Sequence, residues 1–116
     1  MEATEAERLD HLFGALSDST RRRILELLVE SDKTVTELAE SLGKSVALTS
    51  KHAAALTRSG LISRQNSGRV RWCRLEPDAI RRAAIWLEGF GQFNPESLDR
   101  LEWLLGEDAD LAEFMD

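Results

Sequence analysis

The stretch that decides the fold is TVTELAESLGKSVALTSKHAAALTRSGLI, residues 34–62. Thr34 followed three residues later by Glu37 has the form of a capping box, in which each residue satisfies the other's free backbone N–H, so a helix starts here. Val35, Leu38, Ala39 and Leu42 give that helix one apolar face. Gly43 accepts positive φ at little steric cost and predicts its end. Ser45 is the next N-cap candidate, and residues 46–58 hold no helix breaker before Ser59-Gly60. Two short helices separated by a tight turn are therefore expected.

Upstream, Ala6, Leu9, Phe13 and Leu16 recur at helical spacing and predict a first helix over residues 5–16. Ser17-Asp18-Ser19 offers cap oxygens for a second, striped by Ile24, Leu25, Leu27 and Leu28 and ending near residues 30–33. Downstream, LISRQ and RVRWCRL are β-branched and aromatic runs separated by Asn66-Ser67-Gly68, the composition of a hairpin. Pro77 suits the first position of a fifth helix carrying Ile80, Ala83, Ala84, Leu87 and Phe90. Asn94-Pro95 starts a sixth, with Leu98, Leu101, Leu104 and Leu105, so a terminal helix is expected over about 94–114. The expected fold class is mainly α with a small β-hairpin, a winged helix-turn-helix of about six helices and a two-stranded wing. One domain over 1–116 is expected, with its core over about 9–90.

Composition narrows the functional classes. A chain of 116 residues with 42% hydrophobic and 31% charged residues reads as one globular domain, not a low-complexity or disordered one. No apolar run approaches the ~18 residues of a membrane helix and the acidic start is no signal peptide, so a cytoplasmic protein is expected. A single cysteine, Cys73, excludes an internal disulfide framework and Cys-rich zinc modules. Net charge is −6, but its distribution matters more. Residues 18–75 hold eleven Lys/Arg against six Asp/Glu, and residues 41–75 hold seven basic residues and no carboxylate. Phosphate binding responds to the field within a Debye length of ~8–10 Å, so an anion-binding face is expected in this acidic protein.

In a helix-turn-helix the second helix enters the major groove and reads base edges with its N-terminal part. That helix here is SVALTSKHAAALTR, and Arg64, Arg69 and Arg71 on the hairpin suit phosphates or the adjacent minor groove. The phrases ALSDSTRRRILELL (15–28), residues 34–62 above, and GRVRWCRLEP (68–77) resemble the ArsR-type, arsenic-repressor-like transcriptional regulators over about residues 9–90. The resemblance implies a homodimer formed through the first and last helices, binding palindromic double-stranded DNA and usually repressing transcription. It places Ser50, Lys51 and His52 on the family's Ser-basic-His triplet. The expected DNA-facing set is Ser45, Val46, Ala47, Thr49, Ser50, Lys51, His52, Arg64, Arg69 and Arg71. The expected dimer seam is Leu9, Phe13, Ile80, Leu87, Leu98, Leu101 and Leu105.

The chain departs from the family's best-known pattern. Metal-sensing members carry a Cys-x-Cys-type motif in the short third helix, where Val35-Thr36-Glu37 stands, or an Asp/His set on the terminal helix, where no histidine lies beyond residue 75. Neither a metal site of these types nor a cofactor is expected, and an unidentified small-molecule effector stays open. The recognition helix starts on apolar Val46, Ala47 and Leu48, which either meet thymine methyl groups or mark a helix that has lost base readout and serves a protein partner. Arg21-Arg22-Arg23 at a helix start opposes the macrodipole and points to an external anion or to salt bridges with the acidic flanks. His52 is open to packing, capping or DNA contact. Cys73 reads as core or, with Arg71 and Arg74 near it, as a thiol sensor. Trp72, Trp86 and Trp103 read as core or interface anchors. No nucleophile elbow, phosphate-cradling glycine loop or H-E-x-x-H motif is present, so no enzyme is expected.

Overall fold

A computed structural model describes residues 3–91 of the chain, which falls into two compact units, residues 1–83 and 84–116. The first unit holds α1 (Glu5–Leu16), α2 (Ser19–Glu30), β1 (Lys33–Thr34), α3 (Val35–Leu42), α4 (Val46–Arg58), β2 (Ile62–Ser67) and β3 (Val70–Leu75). Helix α5 (Pro77–Gly91) starts in this unit and runs into the second. The helix expected over 94–114, with Leu98, Leu101 and Leu105, lies outside the described residues. No described helix is long and apolar enough to cross a membrane.

Local chemistry explains where the helices begin. Thr4 caps α1 by accepting from the Glu7 N–H, and Glu5 and Glu7 place negative charge in its first turn. Asp18 caps α2 through the Arg21 N–H at 3.0 Å. Both halves of the Thr34–Glu37 capping box are formed, and Ser45 Oγ accepts from the Leu48 N–H to open α4. Gly43 ends α3 at φ 65, a left-handed conformation that an L side chain adopts only under strain.

Arg21 and Arg22 solve a problem at the other end of α1. Arg21 donates from Nε to the Ala15 carbonyl at 2.7 Å and from Nη2 to the Gly14 carbonyl at 3.0 Å, and Arg22 Nη1 reaches the Leu16 carbonyl at 2.8 Å. These carbonyls belong to the last turn of α1, where cations meet the negative end of the dipole, and that of Gly14 also accepts from the Ser17 N–H and hydroxyl. Arg23 pairs with Glu26 one turn on. Among the described residues the Arg21 and Arg22 side chains make no ion pair, and the pair bonds instead to the end of α1. It closes α1 onto α2.

The hairpin pairs Ile62 with Leu75 and Arg64 with Cys73, ending at Ser67 opposite Val70. Asn66 and Ser67, expected in the turn, are strand residues, and the turn is Gly68-Arg69. Positive φ at Gly68 alone (φ 63) fits the type II′ pattern, whose twist matches that of the flanking strands. The expected two-stranded wing gains a third strand: Lys33 and Thr34 pair with Cys73 and Trp72 on the free edge of β3, giving the order β1-β3-β2. Arg74 Nε holds Asp32, just before β1, at 3.1 Å.

The core collects Leu12 and Ala15 of α1, Ile24, Leu25, Leu27 and Leu28 of α2, Leu38 of α3, Ala53 and Leu56 of α4, Leu61 just before the hairpin, Ile62 and Cys73 within it, and Ala79 and Ala83 of α5. Removing this apolar surface from water is the main force holding the helices to the sheet. Leu9 and Phe13, expected at a dimer seam, are half-buried and pack against this core, while Ile80 is exposed. In the second unit Ile85, Trp86, Leu87 and Phe90 are exposed, and the Trp86 and Phe90 rings meet edge-on at 4.7 Å.

Candidate nucleic-acid interface

Helix α4 presents its first turns outward. Ser45, Ala47 and Lys51 are exposed, as are Val46 at 50% and Leu48 at 42%, and Ser50 is half-buried beside them. Thr49 is a correction. It is fully buried and donates its hydroxyl to the Ser45 carbonyl at 2.8 Å, so it packs inward and does not reach a groove. Its spacing with Ala53 and Leu56, both also fully buried, already carried that signal: positions 49, 53 and 56 form one helical stripe.

His52 points across the fold. Its side chain is 15% exposed and Nδ1 lies 3.9 Å from Asp18 Oδ1, tying α4 to the cap of α2. Of the three readings open to His52, the packed one matches this position. The backbone N–H of Arg21 chiefly holds the Asp18 carboxyl below its usual range.

The hairpin changes character along one face. Near its root that face carries Ile62 and Leu75, next the paired Arg64 and Cys73, and farther out Arg71. Arg69 in the turn and Arg71 are exposed, and neither they nor Lys51 make an ion pair with a described residue. Arg64 differs from them. It is half-buried, donates from Nη2 to the Ser50 carbonyl at 3.1 Å, and buries Nε without a hydrogen-bond partner among the described residues. Arg64 thus lines the groove between α4 and the wing but, unlike Arg69 and Arg71, also holds the backbone of α4.

Between the start of α3, the start of α4 and the wing lies an open groove of about 510 Å³ lined by Thr34, Val46, Ser50, Arg64, Arg69 and Arg71, among others. None of its lining residues is acidic. Cys73 is fully buried beneath the sheet, and burial pushes its thiol up, with only partial compensation from the Arg64 charge. A protonated, inaccessible thiol is a poor nucleophile, which removes the basis for reading Cys73 as a sensor. Among the described residues no group of three or more His, Cys, Asp or Glu side chains is placed to hold a metal ion.

Residues 18–64 match the profile of the bacterial regulatory protein, arsR family. The transcriptional repressor SdpR of Bacillus subtilis is 30% identical over 82 residues, which cover 71% of this chain and 91% of SdpR. The chain belongs to the ArsR family of bacterial transcriptional regulators. The HTH-type transcriptional regulator KmtR of Mycobacterium tuberculosis is 34% identical over 74 residues, 64% of this chain and 57% of KmtR, so the match spans little more than half of that relative. The crystal structure of an ArsR family transcriptional regulator, RHA00566, superposes with TM-score 0.71 at 34% identity, covering 78% of this chain and 94% of that one. The fold is further matched by a homodimeric winged helix-turn-helix DNA-binding domain from Mycobacterium bovis, at TM-score 0.63, 22% identity and 84% of each chain. In ArsR-family terms α3 and α4 are the helix-turn-helix and β2–β3 is the wing.

Proposed function

We propose that this ArsR-family regulator is a cytoplasmic homodimer that represses transcription by binding an inverted-repeat operator in double-stranded DNA. The observation that carries the reading is the carboxylate-free groove between the exposed start of α4 and the arginine-tipped wing. Ser45, Val46, Ala47 and Ser50 face the base edges in this reading, with Lys51, Arg69 and Arg71 on phosphates. Val46 and Leu48 offer apolar surface to thymine methyl groups, which favours A·T pairs in each half-site. Two-fold symmetry sets the two recognition helices about 34 Å apart, one turn of duplex. Leu9, Phe13, Ile80 and Leu87 are the proposed seam, together with the residues beyond 91; the solved M. bovis relative is homodimeric.

The test is footprinting and gel shift on DNA upstream of the chain's own gene. A protected inverted repeat supports the reading, and absence of protection with retained binding to a protein partner supports the rival one. That rival, a winged-helix interaction module, is favoured by one feature: the exposed apolar set Val46, Leu48 and Val70.

A further inference from the structure

Arg64 sits on β2, opposite Cys73, at the level where the wing's inner face passes from apolar to basic. Its guanidinium does not follow the solvent-directed course of Arg69 and Arg71. It lines the same groove as they do but donates to the Ser50 carbonyl, in the middle of the proposed recognition surface and one residue before Lys51. Nε is buried and has no hydrogen-bond partner among the described residues, an arrangement that costs stability and that an apolar side chain of the same length would avoid. A side chain selected for packing alone has no reason to carry that penalty. Two elements are joined by this one hydrogen bond: the strand leading to Arg69 and Arg71, and the helix carrying Val46 and Lys51. Base readout requires these groups to meet one duplex at a fixed spacing, whereas non-specific attraction requires only their charge.

We propose that Arg64 is a positioning residue that locks the wing to the recognition helix and sets sequence discrimination through its bond to Ser50 and not through a phosphate contact. The proposal rests on the DNA-binding reading above. Losing the lock leaves the phosphate contacts in place but lets wing and helix move separately, so specific binding weakens while electrostatic binding persists.

The test compares the full chain with R64M, R64K and R69A on the upstream duplex and on a random duplex of equal length, across a salt series. R64M trades the Ser50 bond for removal of the buried Nε–H, so its Tm stays close to that of the parent; R64K covers the case in which R64M does not fold. R64M is expected to bind the upstream duplex about tenfold or more weakly, the typical effect of losing a charged hydrogen bond. Its affinity for the random duplex and its salt slope are expected to be unchanged, with partial recovery in R64K. R69A instead lowers the slope of the dimer by about 1.8 and weakens both duplexes. A slope for R64M that falls like that of R69A, or an unchanged preference for the upstream duplex, overturns the proposal. Amide hydrogen exchange in the free protein supplies a readout that needs no DNA. R64M speeds exchange in residues 62–75 if the lock exists, and unchanged exchange overturns it. Failure of the parent chain to bind either duplex defeats the DNA-binding reading instead, leaving the exchange result to judge the lock.

Discussion

The imidazole of His52, in the helix proposed to read DNA, stands 3.9 Å from the carboxylate of Asp18 that caps α2. The carboxylate also accepts the Arg21 N–H, and this bond, more than the nearby imidazole, lowers its pKa. Because the folded value lies below the ordinary 3.8, the contribution of Asp18 is complete above pH 3.8 and is lost as pH falls through the lower folded value. Glu37, lowered by the Thr34 N–H and hydroxyl, behaves alike below its ordinary 4.5. Acid unfolding followed by circular dichroism should therefore be shallower in Asp18→Asn, since Asn caps without titrating. Identical acid limbs would show that the cap is not charge-dependent.

Arg21 and Arg22 are expected to matter for stability and not for DNA. Arg21→Ala loses two charged bonds to the end of α1 and should cost about 1.5–3 kcal/mol by denaturant titration, with the exposed Arg22→Ala costing less. Neither should alter the salt slope of DNA binding. A reduced slope would return these residues to the phosphate-contacting set.

Thr49 and Val46 separate core from surface on one helix. Thr49→Val keeps the volume, and the Ser45 carbonyl still accepts the Thr49 N–H, so stability should change by no more than about 1 kcal/mol and operator preference not at all. Val46→Ser should change the preferred bases, at about 1–3 kcal/mol per altered readable contact. Selection of bound sequences from a random pool checks both.

Cys73 should resist alkylation in the native state. Its burial and raised pKa leave little exposed thiolate, so iodoacetamide labelling should follow unfolding, rising with denaturant in step with the loss of helix signal. Rapid labelling of the folded chain, with loss of DNA binding, would reinstate the thiol-sensor reading.

Features governed by neighbouring residues were legible in the sequence. The Thr34–Glu37 box and the Asp18 and Ser45 caps involve a side chain and backbone within three residues, the Gly43 stop needs only its own positive φ, and the helices begin and end where those patterns place them. Strand β1 was not legible, because two residues give no alternation and the partners Trp72 and Cys73 lie 38 and 40 positions later. The role of Arg21 and Arg22 has a usable signal, cations just after a helix end, because their bonds to the end of α1 offset the dipole cost at the start of α2. Arg64 was legible only as a charge on a hairpin. Its turn toward Ser50 depends on how α4 lies against the sheet, which no local pattern encodes.

The central claim, that α4 and the wing form a phosphate-binding face, is tested most directly by the salt dependence of binding to the upstream duplex. With three or four phosphates neutralised per subunit, log K against log salt should slope at about −5 to −7 for the dimer, and R69A or K51A should each make it shallower by about 1.8. A slope near zero, or variants indistinguishable from the parent, would contradict it.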